Sequence, residues 1–113
     1  MILDTSVVIE KVKRGETIDD NITSITLIEY PPIVRYKGFR GRIYFVDEED
    51  QLLAFLIQSK LRKIGFPLSA ADLLVASVCI RRDEELVTTD EDFKVIQKVE
   101  PRFRVKLLEA HEK

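Results

Sequence analysis

The first ten residues set the strongest constraint on the fold. They are Met-Ile-Leu-Asp-Thr-Ser-Val-Val-Ile-Glu, an apolar start that runs into Asp4, two hydroxyl residues and a second apolar run. This pattern predicts a short buried strand, a capped turn and a helix, with an acid where the strand ends. In open α/β sheets, ligands bind beyond the carboxyl ends of the strands, so we expect Asp4 to lie in a ligand-binding or catalytic site.

Length and composition predict one soluble, cytoplasmic domain over residues 1–113. A chain of this size buries one core, and its longest apolar runs are far shorter than a membrane span. No signal-like segment precedes the first strand, and Cys79 is the only cysteine, which argues against disulfides and cysteine–zinc sites. The net charge of −2 neither favours nor excludes a nucleic-acid partner.

Short apolar segments alternate with helical patterns along the chain. Strands are predicted over residues 1–3, 22–24, 43–46, 86–88 and 105–108, and helices over 7–15, 24–30, 48–64, 69–81 and 93–99. Residues 31–42 contain two prolines and two glycines and are predicted to form a loop with at most a short helix. The alternation predicts a three-layer α/β/α fold around a short, mostly parallel central sheet.

Five acids stand near the starts of the predicted helices. Asp4, Asp90 and Asp92 follow strands, Glu29 lies in the helix after the second strand, and Asp72 lies in the first turn of the apolar helix. One interpretation is that they are helix-capping residues, since three hydroxyl–acid pairs have capping-box spacing. Those pairs are Ser69 with Asp72, Thr26 with Glu29, and Thr89 with Asp92.

The alternative is that the acids form one site. In a parallel sheet, strand ends and the helix starts that follow them lie along the same edge, so these carboxylates converge. Two carboxylates about 4 Å apart repel by about 4 kcal/mol at an effective dielectric of 20, so such a cluster requires protons or cations. Hard divalent cations are the usual partners of carboxylates, which predicts Mg²⁺ or Mn²⁺.

Four short motifs resemble the PIN-domain nucleases, and most closely the VapC-type toxin ribonucleases, in order and spacing across nearly the whole chain. They are Ile-Leu-Asp4-Thr-Ser6, Thr-Leu-Ile-Glu29, Asp72-Leu-Leu-Val-Ala-Ser and Leu-Val-Thr-Thr-Asp90-Glu-Asp92-Phe93. The chain is short for that family, and Pro31-Pro32 truncates the helix that carries Glu29.

The resemblance implies a metal-dependent endoribonuclease of a toxin–antitoxin pair. Its acidic quartet would be Asp4, Glu29, Asp72 and Asp90, with Asp92 as a fifth acid and Ser6 as a supporting hydrogen-bonding residue. Asp4, Asp72, Asp90 and Asp92 are the expected metal ligands. RNA, a cognate antitoxin and a second copy of the chain are the expected partners.

Other groups suited to catalysis are scarce. Cys79 lies mid-helix on an apolar face and is expected in the core, while His111, the only histidine, lies in the terminal tail. Metal-activated water is therefore the expected nucleophile.

Basic and aromatic residues alternate in one segment, and two interpretations stay open: a surface for single-stranded RNA, or a solvated loop whose aromatics pack into the core. Its cations are Arg35, Lys37, Arg40 and Arg42.

Three alternatives stay open. The first is an aspartyl phosphatase or phosphotransfer receiver, which is disfavoured because Ser6 stands where the phosphatases have a second Asp. The second is a PIN-like module that has lost activity and only binds protein or RNA. The third is a housekeeping RNA-processing nuclease.

Overall fold

The computed structural model describes residues 1–109 and has a parallel sheet with very short strands. Its elements are β1 (Ile2–Leu3), α1 (Thr5–Lys13), β2 (Ile22–Thr23), α2 (Ser24–Glu29), a first 3₁₀ helix (Pro31–Arg35), β3 (Ile43–Tyr44), α3 (Glu48–Lys63), α4 (Ala70–Arg81), β4 (Leu86–Thr88), a second 3₁₀ helix (Glu91–Lys98) and β5 (Val105–Leu107). Strands β1, β4 and β5 form one sheet, and β2 pairs with β3, with every ladder parallel. A parallel bridge between Ile2 and Asn21 connects the two parts.

The two faces of the sheet bury separate hydrophobic clusters. Ile2 and Leu86 pack with the apolar sides of α3, α4 and the second 3₁₀ helix, whereas the next residues, Leu3 and Val87, pack with α1. Successive side chains of a strand point to opposite faces, so this division places helices on both sides of the sheet. The predicted three-layer α/β/α class is confirmed.

Helix α4 is the central element of the larger cluster. Six consecutive residues of its body, from 75 to 80, are buried, as expected for a helix that is apolar nearly all round. Cys79 is among them, which confirms that it belongs to the core. No helix within residues 1–109 is long and apolar enough to cross a membrane.

Two local predictions were wrong. Helix α2 is capped by Thr23, whose hydroxyl accepts a hydrogen bond from the backbone N–H of Ile25, so Thr26 is inside the helix and forms no capping box with Glu29. The helix predicted over residues 93–99 is a 3₁₀ helix that begins at Glu91 and is capped by Asp90, not by Thr89. In both places the chain offers adjacent polar residues that compete for the cap.

The segment between α2 and β3 is held closely against the rest of the chain. The hydroxyl of Tyr36 donates a 2.6 Å hydrogen bond to the backbone oxygen of Glu16, and Phe39 packs on the smaller hydrophobic cluster. A Cβ at Gly41 would lie 1.9 Å from the backbone oxygen of Asp20, so only glycine permits this approach. The aromatic residues of the segment therefore serve packing.

A buried aspartate joins α3 to the end of α4. Asp47 and Asp50 form a reciprocal capping box at the start of α3, and the side chain of Asp50 is fully buried. One oxygen of Asp50 accepts hydrogen bonds from Arg81 and Arg82 at 3.0 and 2.8 Å. The predicted cap at Asp47 is confirmed, and the arginine pair compensates for burial of the Asp50 charge.

Candidate active site

The four acids of the predicted quartet lie on one edge of the sheet because each is placed by an element that ends or begins there. Asp4 follows β1 and caps α1, and Asp90 lies two residues beyond β4 and caps the second 3₁₀ helix. Glu29 ends α2, which follows β2 directly, and Asp72 lies in the first turn of α4. The charges of Glu29 and Asp90 contribute to the raised pKa of both Asp4 and Asp72, which places these carboxylates near one another.

Asp4 is the most constrained of these acids. One carboxylate oxygen accepts a 3.0 Å hydrogen bond from the backbone N–H of Thr5, and the other accepts a 2.8 Å bond from the hydroxyl of Thr88. Burial raises the pKa of Asp4, the two hydrogen bonds oppose that rise, and the charges of Glu29 and Asp90 add to it. Asp4 is thus a half-buried carboxylate with fixed oxygens and negative neighbours.

Glu29 is exposed but is held by a pair of buried hydroxyls. The hydroxyl of Thr5 donates a 2.6 Å hydrogen bond to one Glu29 oxygen and lies 2.8 Å from the hydroxyl of Thr26. These contacts connect α1 with α2 across 21 and 24 residues of sequence. Thr5 therefore contacts two acids, Asp4 through its backbone and Glu29 through its side chain.

Asp72 and Asp90 complete the cluster. The hydroxyl of Ser69 accepts a 3.1 Å hydrogen bond from the backbone N–H of Asp72, which confirms Ser69 as the cap of α4. Burial raises the pKa of Asp72, a hydrogen bond with Ser69 opposes this, and the charges of Asp4, Asp90 and Glu29 raise it further. Asp72 therefore has a capping environment and also shares the electrostatic field of the cluster.

Thr88 connects Asp4 with Asp90. It is fully buried at the end of β4, and its single hydroxyl donates to Asp4 while accepting a 3.0 Å hydrogen bond from the backbone N–H of Asp90. Thr5, Thr26 and Thr88 are positioning residues that the sequence pattern alone did not predict. The available signal was the hydroxyl residue next to Asp4 and the two that precede Asp90.

Two further predicted residues lie at the margin of the cluster. Asp92 is exposed and lines a groove of about 440 Å³ together with Phe66, Pro67 and Lys98. The hydroxyl of Ser6 lies 3.3 Å from that of Thr89. The hydroxyls bonded to the carboxylates of Asp4 and Glu29 are those of Thr88 and Thr5, and Ser6 contacts the loop that carries Asp90.

The predicted RNA-binding residues Arg35, Lys37, Arg40 and Arg42 are all exposed. Arg40 and Arg42 precede β3, so they lie toward the amino ends of the parallel strands, opposite the edge that carries the acids. Arg35 ends the first 3₁₀ helix, which follows α2 and Glu29. The structure therefore separates Arg40 and Arg42 from the acids.

The donor chemistry of the acidic cluster fits a hard divalent cation. In the described part of the chain, no three histidine, cysteine or acidic side chains are grouped as a ready-made metal cage. Mg²⁺ does not need one, since it keeps several waters and is usually held by one or two carboxylates together with substrate phosphates. Burial is the main cause of the raised pKa of Asp4 and Asp72, and the charges of the neighbouring acids raise it further.

Cys79, the cysteine of the described residues 1–109, offers no thiolate nucleophile at this edge. The Cys79 thiol is buried, and burial raises its pKa far above neutrality. His111 lies outside the described residues. The chemistry of the site is that of its carboxylates.

The fold and the acidic edge define a class of protein. The sequence model of the PIN-domain family matches residues 1–99, and the chain belongs to this family. PIN domains are generally nucleases that use divalent metal ions. The predicted family resemblance is thereby confirmed. A search of curated proteins finds no significant relative.

Similar solved structures come from toxin–antitoxin complexes. VapBC2 from Rickettsia felis, bound to a promoter DNA fragment, has a TM-score of 0.75 at 19% identity, covering 96% of this chain and 98% of that one. DNA-bound VapBC from Salmonella typhimurium has a TM-score of 0.74 at 21% identity, covering 93% of this chain and 95% of that one. VapBC-5 from Mycobacterium tuberculosis has a TM-score of 0.69 at 17% identity, covering 95% of this chain and 97% of that one. These likenesses show that the fold is shared over nearly the full length of each chain.

Proposed function

We propose that this protein is a cytoplasmic, divalent-metal-dependent endoribonuclease that acts as the toxin of a toxin–antitoxin pair. The observation that carries the proposal is the convergence of Asp4, Glu29, Asp72 and Asp90 on one sheet edge, where burial and mutual repulsion raise the pKa of Asp4 and Asp72. Membership of the PIN family supports nuclease chemistry.

The metal ligands in this proposal are Asp4, Asp72 and Asp90, with Asp92 as an outer ligand. A bound Mg²⁺ or Mn²⁺ would supply Lewis-acid polarisation of a phosphodiester and a water of lowered pKa. Asp4 presents fixed oxygens because Thr5 and Thr88 hold it. Glu29, which is exposed and held by Thr5, orients the attacking water.

Without a cation, the same acids repel the RNA backbone. Four carboxylates on one edge face a polymer that carries a negative charge at every phosphate. We therefore expect productive RNA binding at the acids to depend on the metal. Arg35, Lys37, Arg40 and Arg42 would contact phosphates away from the point of cleavage.

The antitoxin is the second proposed partner. Two large apolar side chains lie exposed close to Glu29 in sequence, Ile28 on α2 at 76% and Val34 on the first 3₁₀ helix at 68%. Exposed apolar residues beside a polar site are suitable anchors for an amphipathic partner segment. The fold shared with chains of VapBC complexes supports this assignment.

The test is cleavage of single-stranded RNA by purified protein with Mn²⁺ or with EDTA. Wild-type protein should cleave only with metal, and Asp4→Asn should abolish cleavage. Asp83→Asn is the matched control, because Asp83 is 93% exposed outside the acidic cluster and its positive φ of 55° suits asparagine equally well. Cleavage that persists in EDTA, or in Asp4→Asn, would contradict the proposal.

A binding module without catalytic activity is the main rival. Such a protein would bind RNA or protein and leave RNA intact under all metal conditions. A housekeeping nuclease would cleave RNA, but its activity would not be inhibited by the product of a neighbouring small reading frame. Co-expression with that product separates a toxin from a housekeeping nuclease.

A further inference from the structure

The groove of about 440 Å³ at the margin of the acidic cluster is formed by the loop between α3 and α4 and by the second 3₁₀ helix. The loop supplies apolar side chains, and the 3₁₀ helix supplies most of the charged ones. The lining includes Phe66, Leu68, Asp92, Lys94, Val95 and Lys98. Ligand sites of roughly 300–1,000 Å³ with an apolar wall and a few charged groups are typical of small-molecule recognition, so the groove has room for one unit of a polymer.

The groove is continuous with the acidic cluster through Asp92. The backbone N–H of Asp92 donates a 2.9 Å hydrogen bond to a carboxylate oxygen of Asp90, the residue that caps the second 3₁₀ helix. Residues three apart are stacked in a 3₁₀ helix, so Asp92, Val95 and Lys98 form one row that leads away from Asp90. A polymer bound at the acids can therefore extend into this groove.

The charge of the second 3₁₀ helix changes from acidic to basic along its length. Glu91 and Asp92 lie in its first turn, and Lys94 and Lys98 follow. Both lysines are exposed, and neither forms an ion pair within residues 1–109. At a rise of about 2 Å per residue, they lie roughly 8 and 16 Å from Asp90 along the helix. These cations are placed to contact phosphates that neighbour a phosphate bound at the acids.

Phe66 presents an exposed aromatic ring to the groove. Its side chain is 53% exposed, and the ammonium of Lys98 lies 5.7 Å from the ring centroid. The face of an aromatic ring is a platform on which any nucleobase can stack. An exposed cation–π contact is weaker than base stacking, so a base can replace the Lys98 ammonium on the ring.

The loop that carries Phe66 is fixed on both sides of the ring. The backbone N–H of Phe66 donates a 3.0 Å hydrogen bond to the backbone oxygen of Leu61, and Gly65 has a φ of 82°, which together form a Schellman end to α3. The side-chain amide of Gln58 donates a 2.7 Å hydrogen bond to the backbone oxygen of Leu68 and accepts a 3.1 Å bond from its N–H. The ring is therefore held in place before a ligand arrives, which lowers the entropic cost of binding.

We propose that this groove binds one nucleotide of an RNA substrate beside the scissile phosphate, with the base stacked on Phe66 and the adjoining phosphates contacted by Lys94 and Lys98. The inference rests on the proposed ribonuclease function, which supplies RNA as the occupant. Stacking requires a base that is free of its neighbours and does not read its hydrogen-bonding edge. The groove therefore selects unpaired nucleotides and discriminates only weakly among the bases.

The first test is equilibrium binding of single-stranded oligoadenylate of about ten nucleotides and of an abasic oligomer with the same length and charge. Binding is measured in Ca²⁺, which takes the same carboxylate ligands, and a gel verifies that the RNA stays intact. Phe66→Leu should lower the affinity for oligoadenylate about 5- to 100-fold and leave that for the abasic oligomer unchanged. Leucine keeps the apolar bulk at the end of α3 but has no ring face. Phe66→Trp is the matched control and should keep the preference for oligoadenylate.

The second test concerns the lysines. Lys94→Ala and Lys98→Ala should each reduce the slope of log affinity against log salt by about 0.7 and weaken binding of the abasic oligomer about 5-fold at 0.1 M salt. Lys13→Ala is the matched control, because Lys13 is exposed at the end of α1 that lies away from Asp4. It should leave the slope unchanged.

Steady-state cleavage in Mn²⁺ separates the groove from the nuclease activity. Phe66→Leu should raise KM about 5-fold or more and leave kcat unchanged, because stacking is equal in the ground state and the transition state. If wild-type protein cleaves RNA and Phe66→Leu changes neither KM nor affinity, the groove proposal is overturned and the nuclease proposal stands. If RNA stays intact with every metal but its binding depends on Phe66, the nuclease proposal fails and the groove is retained as an RNA site.

Two further outcomes would overturn the groove proposal. A wild-type chain that binds the abasic oligomer as tightly as oligoadenylate, or that binds neither, has no stacking site for RNA. Adenosine monophosphate that binds as tightly as oligoadenylate would make the groove a site for a free mononucleotide.

Discussion

Replacing Thr88 by valine tests whether one buried hydroxyl positions the acidic cluster. Valine has nearly the same shape as threonine, so Thr88→Val removes the hydroxyl and leaves the packing of β4 intact. Two hydrogen bonds are lost, the 2.8 Å bond to Asp4 and the 3.0 Å bond from the backbone N–H of Asp90. Because Thr88 is fully buried, water has little access to replace them.

The cost follows from the partners of the hydroxyl. A hydrogen bond to a charged acceptor contributes about 1.5–3 kcal/mol, and a neutral bond about 0.5–1.5 kcal/mol. We expect Thr88→Val to lower the free energy of unfolding by about 2–4.5 kcal/mol at pH 7. For a domain of this size, each kcal/mol shifts the melting temperature by roughly 4 °C, so the melting temperature should fall by about 8–18 °C. RNA cleavage should fall as well, because Asp4 loses the donor that fixes one of its oxygens.

The pH dependence separates this explanation from a simple packing defect. Burial raises the pKa of Asp4, and the Thr88 hydrogen bond opposes that rise, so the variant should have a still higher folded-state pKa at Asp4. The loss of unfolding free energy in Thr88→Val is therefore complete well above that pKa. It becomes smaller as the pH falls through that pKa, because a protonated Asp4 carries no charge for the hydroxyl to stabilise.

The control is Thr88→Ser, which keeps the hydroxyl and loses one methyl group. It should cost about 0.5–1.5 kcal/mol at every pH. Chemical denaturation of the three proteins between pH 4 and pH 8 measures the comparison. A loss of unfolding free energy in Thr88→Val that stays constant over this range would refute the role assigned to the hydroxyl. So would a loss equal to that of Thr88→Ser at pH 7.

Three further predictions concern the site and its surroundings. In EDTA, Asp72→Asn should have a higher melting temperature than wild type, because the ionised Asp72 opposes folding. In excess Mn²⁺ its melting temperature should be lower than that of wild type, because the variant has lost a metal ligand. A variant destabilised equally in both conditions would show that Asp72 is only a capping residue. Replacing Arg40 and Arg42 by alanine should weaken RNA binding and reduce the slope of log affinity against log salt by about 1.4, and an unchanged slope would exclude phosphate contacts at these residues. Gly41→Ala should destabilise the protein by about 3 kcal/mol or more in denaturation, because its Cβ would lie 1.9 Å from the Asp20 oxygen, and a loss below about 1 kcal/mol would contradict this.

The fold class was predictable because its signals are local. Each predicted strand is present within one or two residues, and α3 begins and ends almost where Asp47 and Gly65 indicated. The placement of Asp4 and Asp90 followed from the strands that precede them. Local patterns of this kind determine element type and order, and parallel connectivity then brings the strand ends to one edge.

The details of the site were less predictable because they depend on tertiary contacts. Thr26 faces Thr5 across 21 residues of sequence, and no local signal distinguishes that role from a helix cap. Residues 88–90 carry two adjacent hydroxyls, and only the inward direction of Thr88 at the end of β4 decides which one holds Asp4. The basic segment shows the same limit, since its aromatics pack inward and Arg40 and Arg42 lie toward the amino ends of the strands.

The pairing of β1 with β4 has a consequence for protein synthesis. Ile2 pairs with Leu86, and Asp4 takes its side-chain donor from Thr88, so β1 gains its neighbour β4 only after more than three quarters of the chain has been made. Domains fold during translation as their contacts become available, at about 5–20 residues per second. A ribosome-bound chain that has not yet released residue 90 therefore holds Asp4 and Glu29 without their remaining partners. For the proposed ribonuclease, this topology delays catalytic competence until the polypeptide is nearly complete.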